Sequence, residues 1–161
     1  MYVREILKVK ASSALFGVAP DTLLSEAVVT MADEDIGSLV VLEGGRLVGL
    51  LTFREVLATI AKRLKEGRVG STPPIIEIKV GDAMQVDPVT AEPAMDVDEL
   101  RRTMLQHHAR YVPIMENNML LGVISFHDVA KAVLEEKSFE NKMLKGYIKN
   151  WPEEESPAAP Q

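Results

Sequence analysis

The sequence predicts an α+β fold in which one helix–strand–turn–strand–helix unit occurs twice, the copies related by a pseudo-twofold axis. Two observations carry this. Displaced by 73 positions, residues 20–56 lie over residues 93–129 without a gap, with identities at Pro20/Pro93, Glu26/Glu99, Thr30/Thr103, Met31/Met104, Glu43/Glu116, Leu47/Leu120, Gly49/Gly122, Phe53/Phe126 and Val56/Val129. Chance would match roughly two positions in such a window, and most mismatches keep apolar opposite apolar. The second observation is that helical spacing and short branched runs alternate in the same order in both copies. A unit used twice implies a pair of related clefts between the halves.

In the first copy, Leu23, Leu24, Ala27, Val28 and Met31 recur at helical spacing, with Ser25, Glu26 and Thr30 on the other face. Leu39-Val40-Val41-Leu42 reads as a short buried strand, Gly44-Gly45 as a tight turn and Leu47-Val48-Gly49-Leu50-Leu51 as the returning strand. Thr52 opens a helix through Val56, Leu57, Ile60, Ala61 and Leu64. The second copy follows suit, with Val97, Leu100 and Met104 on a helix, a strand from Tyr111 to Met115 and a turn at Asn117-Asn118. A return strand runs from Leu120 to Ile124, and Ser125 opens a helix through Val129, Val133 and Leu134. Val3, Ile6 and Leu7 suggest a short helix before the first copy, and Val86, Val89 and Thr90 an extended lead-in to the second. The expected organisation is a first repeat with its lead-in over 1–68, a surface linker over 69–82 and a second repeat over 83–137. An amphipathic helix over 138–150 would cover the sheet or a partner subunit, and an acidic, proline-rich tail over 151–161 is expected to be disordered.

The chain has 161 residues, enough for one domain made of two joined halves, and its formal net charge is −6. That charge disfavours nucleic acid, whose phosphate backbone calls for a basic face. No apolar run is long enough to span a bilayer, and the charged opening Met1-Tyr2-Val3-Arg4-Glu5 lacks a signal-peptide core. Cysteine is absent, which fits a cytoplasmic setting. Adjacent His107 and His108 fall on different faces of a helix, so metal spacing is lacking. No nucleophile elbow or P-loop occurs, so neither an enzyme nor a resident cofactor is expected.

The chemically suggestive element is Gly49-Leu50-Leu51-Thr52-Phe53-Arg54-Glu55, repeated as Gly122-Val123-Ile124-Ser125-Phe126-His127-Asp128. Read locally, Thr52/Glu55 and Ser125/Asp128 are capping boxes, in which hydroxyl and carboxylate satisfy free backbone N–H groups. Read together, the two helix starts favour an anion and face a shared groove. A carboxylate there can accept from both ribose hydroxyls, and the hydroxyl residue can donate to a phosphate.

The doubled β-α-β-β-α order, the run from Met104 through Arg110, Tyr111, Val112 and Pro113 to Ile114, and the run from Gly122 to Val129 resemble the cystathionine-β-synthase (CBS) motif. Paired, the motifs resemble the unit called a Bateman module, over residues 6–136. Leu144-Lys145-Gly146-Tyr147-Ile148 resembles the ending of small stand-alone bacterial members. The resemblance implies a regulatory homodimer that senses AMP, ADP, ATP, NAD or S-adenosylmethionine for an unknown regulated protein. A ligand-free interaction module is the alternative.

Carried over by position, Ser125 and Asp128 would hold phosphate and ribose, with His127 beside them, and Tyr111, Val112 and Pro113 would wall the adenine next to Arg110, largely through backbone atoms and shape. The lead-ins would complete the clefts, residues from Lys10 to Val18 for the Asp128 site and Val89 and Thr90 for the Thr52/Glu55 site. In that first copy Glu55 stands where aspartate is usual and Ala58 where related proteins often carry arginine, leaving Arg54 as the candidate phosphate partner. The Asp128 cleft is therefore expected to be the better ligand site.

Overall fold

The computed structural model describes residues 1–10, 15–67 and 77–149. The expected tail over 151–161 and most of the expected linker lie outside the described residues. The first copy runs α2 (Leu24–Asp33), β2 (Ser38–Glu43), β3 (Arg46–Thr52) and α3 (Phe53–Glu66). The second runs α5 (Val97–Gln106), β5 (Tyr111–Glu116), β6 (Met119–Ser125) and α6 (Phe126–Lys149). Before them stand the lead-ins, α1 (Val3–Lys10) with β1 (Gly17–Val18), and α4 (Val80–Ala83) with β4 (Gln85–Val86). The expected α+β architecture is borne out, and among the described residues no helix is long and apolar enough to cross a membrane.

The pseudo-twofold reaches into the hydrogen bonding. β2 and β3 pair antiparallel with a register shift between Val41 and Leu42, and β5 and β6 shift between Ile114 and Met115, 73 residues on. β1 runs parallel to β2 with Val18 opposite Val41, and Ala91 bridges Ile114 in the same sense. Both hairpin turns put two successive residues at positive φ: Gly44 and Gly45 in one, Asn117 and Asn118 in the other. Such a turn matches the twist of its strands, and Gly and Asn are the residues that tolerate it.

The lead-ins are exchanged. α1 sends Val3 and Ile6 into the core of the second copy, among Val97, Leu100, Met104, Ile114 and Val129. Ile78 and Val80 enter the core of the first, among Leu24, Ala27, Met31, Leu39 and Leu51. Each fully buried side chain of this kind contributes about 1.5–3 kcal/mol. The backbone repeats the exchange: the Val3 amide donates to Met95 carbonyl (2.9 Å) and the Val80 amide to Thr22 carbonyl (2.8 Å). Acceptors 73 apart thus meet donors 77 apart, because α1 has eight residues and α4 four.

Two expectations are corrected. Residues 77–82 are not surface linker, since Ile78 and Val80 are buried; once docked on α2 and its strands their apolar side chains leave water. No break falls between residues 137 and 138. The helix begun at Phe126 continues to Lys149, because residues 134–145 contain neither proline nor glycine to end it. Its far half does not cover the sheet: Phe139, Met143, Leu144, Tyr147 and Ile148 are all 57–64 % exposed.

Candidate functional site

Each strand-to-helix junction carries the cap that its sequence encodes. At the start of α3 the Arg54 amide donates to the Thr52 hydroxyl (3.2 Å), and Glu55 Oε2 accepts from the Thr52 amide (2.8 Å) and from the Thr52 hydroxyl. At the start of α6 the Asp128 amide donates to Ser125 Oγ (3.0 Å) and Asp128 Oδ2 accepts from the Ser125 amide (2.8 Å). The local reading of both motifs as capping boxes is therefore correct, and each carboxylate has one oxygen already engaged with backbone.

Two clefts open beside these junctions. The first, about 510 Å³, is lined by Thr52, Phe53, Arg54 and Glu55, by Gln85 and Val89 of the lead-in, and by residues 107–111 of the second copy. The second, about 680 Å³, is lined by Gly122, Val123, Ser125, Phe126 and His127, by Lys10, Leu15 and Phe16 of the other lead-in, and by residues 35–38 of the first copy. Both volumes fall in the roughly 300–1,000 Å³ range of small-molecule sites. The clefts exchange halves under the 73-residue displacement, so His108 answers Asp35, Arg110 answers Gly37 and Tyr111 answers Ser38.

The expected site residues divide. Thr52, Arg54, Glu55, Val89, Arg110 and Tyr111 line the first cleft, and Lys10, Arg110, Tyr111, Ser125 and His127 line the second. Thr90 lines neither and faces a third hollow with Glu92, Glu99 and Asn117. Val112 and Pro113 are buried in β5 and line neither cleft. The Val112 side chain belongs to the core of the second copy, which leaves only its backbone to face a ligand. Tyr111 stands between the clefts: a Cβ on Gly37 would lie 2.6 Å from its ring carbon Cζ, so this glycine is what lets the ring cross between the halves. The Arg54 guanidinium reaches His108 carbonyl at 3.5 Å, tying the first junction to the second copy. Missed from sequence were residues 35–38, His107 and His108; displacing the 108–111 segment by 73 positions would have found most of them. The histidines follow the last turn of α5, where His108 takes a positive φ. Among the described residues no group of histidines and carboxylates could hold a metal ion.

The electrostatics differ between the clefts. The first sets Arg54 and Arg110 against Glu55, a cationic hollow on an acidic chain, with His107 and His108 on its rim. In the second, Lys10 Nζ donates to Asp128 Oδ2 (2.7 Å) and to Val123 carbonyl (2.8 Å). Burial disfavours the Asp128 charge, but hydrogen bonds from Lys10 and Ser125, with the charge of Lys10, outweigh it and hold the carboxyl below its ordinary value. Burial, with the nearby Asp128 charge, raises Tyr111 against the opposing pull of Arg110. Asp128 is 20 % exposed at its side chain and is absent from the cleft lining, while Lys10 lies on that lining at 32 %. Among the described residues no cation pairs with Glu55.

A family model described as the CBS domain matches residues 3–62 and 80–135. A CBS domain-containing protein of Bacillus subtilis, YhcV, is 33 % identical over 114 residues, covering 70 % of this chain and 74 % of its own. The crystal structure of a CBS-domain containing protein from Agrobacterium tumefaciens superposes with a TM-score of 0.71 at 29 % identity, covering 82 % of this chain and 98 % of that one. Two more distant structures share the fold and were solved with ligands. One is CBSX2 in complex with AMP (TM-score 0.63, 22 % identity, 76 % of this chain and 90 % of that one). The other is the CBS domain pair of MJ0100 with 5′-methylthioadenosine and S-adenosyl-L-methionine (0.67, 20 %, 84 % and 98 %).

Proposed function

The chain belongs to the CBS-domain family, and on that premise we propose that it is a regulatory module that binds an adenosyl ligand in the clefts between its two copies. The observation that carries this is the pair of equivalent clefts, each joining a capped strand-to-helix junction of one copy to the opposite copy and its exchanged lead-in. The adenosyl ligands of CBSX2 and MJ0100 support that ligand class. A ligand seated there touches both copies at once. It therefore favours one arrangement of the halves, and regulation follows as a population shift rather than as catalysis.

The protein works as a homodimer that hands this shift to a regulated protein. The exposed stripe of α6 supports self-association: Glu135, Glu136 and Glu140 lie toward its middle, and Lys142, Lys145 and Lys149 toward its end. Two such helices laid antiparallel would set acidic segment against basic segment while burying Phe139, Met143 and Tyr147.

Thermal melting with AMP, ADP, ATP, NAD, S-adenosylmethionine and GTP tests the ligand reading. A ligand at a hundred times its dissociation constant adds about 2.7 kcal/mol, or roughly 5–10 °C at this size. Adenosyl compounds should raise the melting temperature and GTP should not. A flat response to every compound refutes the proposal.

A further inference from the structure

The two carboxylates at the junctions are not equivalent, and the difference lies in the lead-ins. α1 runs four residues further than α4, and its last residue is Lys10. The added turn places an ammonium on Asp128 Oδ2 and Val123 carbonyl, across 118 and 113 residues of sequence. α4 ends at Ala83, and Glu55 lines its own cleft openly. In the second cleft the order of exposure is inverted: Lys10 lines the wall, and Asp128 does not.

A ribose that is to bond Asp128 Oδ2 must therefore meet Lys10 first. Oδ2 already accepts from the Ser125 amide and from the ammonium. An uncharged nucleoside that took a place on Oδ2 would offer the displaced ammonium only neutral acceptors, weaker partners than the carboxylate it leaves. A sulfonium ligand would add a second positive charge beside Lys10 and Arg110. A phosphate reverses the balance, because it offers the ammonium a charge-assisted bond in exchange for the one surrendered. The ammonium sits on a flexible four-carbon stem and can make that exchange without moving α1.

We infer that Lys10 is a latch that makes the Ser125/Asp128 cleft selective for phosphate-bearing adenosyl ligands over neutral or sulfonium-bearing ones. This rests on the adenosyl reading above and adds the charge class to it. Lys10 is the specificity-determining residue of this cleft; among the described residues the first cleft has no counterpart of it on Glu55 and draws its positive charge from Arg54 and Arg110.

The experiment is calorimetric titration of the full chain with AMP, adenosine and S-adenosylmethionine, in wild type, Lys10→Met and Lys10→Arg. Methionine keeps an unbranched apolar stem, and each variant is checked by thermal melting to be folded. Wild type should bind AMP at least tenfold more tightly than adenosine at one class of site. In Lys10→Met that ratio should fall below threefold, with S-adenosylmethionine binding as well as in wild type or better, and Lys10→Arg should keep the preference for AMP. A ratio unchanged in Lys10→Met overturns the latch, as does equal binding of AMP and adenosine by wild type, and both results leave the adenosyl reading standing. Failure of all three compounds to bind wild type sinks that reading, and the latch with it.

Discussion

Replacing Gly49 by alanine tests how closely β4 lies against β3. Gly49 pairs with Val86, and Leu50 with Gln85. A Cβ built on Gly49 runs into the sulfur of Met84, stands 2.9 Å from Met84 Cγ and also 2.9 Å from the Gln85 carbonyl oxygen. The methionine can withdraw, since its side chain has three rotatable bonds. The carbonyl cannot, because it belongs to the two-residue strand that closes the sheet edge. Overpacking of this kind costs about 1–3 kcal/mol, and the loss of glycine's freedom in the unfolded chain returns about 0.4–1 kcal/mol. The net expectation is a destabilisation of about 1–2 kcal/mol, or a melting temperature lower by roughly 2–8 °C for a chain of this length. Because Gln85 lines the first cleft, the damage should be local: faster amide exchange at Val86 with the α5 core still protected. Thermal melting and hydrogen exchange read both effects. An unchanged or higher melting temperature, with Val86 still protected, would refute the argument from close approach.

Three further outcomes follow from the same geometry. The folded-state carboxyl of Asp128 lies below its ordinary value. Its contribution is therefore present above the unfolded value near ~3.9 and is lost as pH falls through the depressed folded value; denaturation midpoints should drop less between pH 5 and pH 2 in Lys10→Met than in wild type. Glu55→Ala removes a cap and should cost about 0.5–2 kcal/mol by urea denaturation, while Asp128→Ala should cost more, because it also leaves Lys10 with only the Val123 carbonyl; equal losses would argue that the ion pair adds nothing. Light scattering should give twice the chain mass for wild type and a monomer for Met143→Glu with Tyr147→Glu, and a wild-type monomer that persists on concentration would remove α6 as a dimer contact.

The paired units were legible because short branched runs bounded by Gly44-Gly45 and Asn117-Asn118 leave few alternatives to hairpins. The caps were legible because Thr52/Glu55 and Ser125/Asp128 act within one helical turn. The side chains of Val112 and Pro113 leave the cleft because three successive residues of β5 are buried. With both faces of the strand covered, the alternation that marks a core side chain disappears. The exchange of lead-ins was implied by the family resemblance and not by the repeat itself, since the displacement of 73 holds back to Val18 and Ala91 but the helix starts Val3 and Val80 lie 77 apart. Lys10 on Asp128 is a contact across 118 residues, set by the length of α1 rather than by any local pattern. The full rim of the first cleft was hidden for a related reason: His107 and His108 follow α5, where helical spacing no longer places them.

The exchanged lead-ins also impose an order on the birth of the protein. Translation delivers α1 well before residues 91–129, which make the socket that receives Val3 and Ile6. The first copy likewise waits for Ile78 and Val80 before its own core can close. An emerging chain therefore carries the apolar face of α1 without its socket until residues 91–129 have been synthesised, and the first copy without Ile78 and Val80 until they follow it. Duplication of the unit thus yielded a pair that matures together, with α1 among the last elements to find its place.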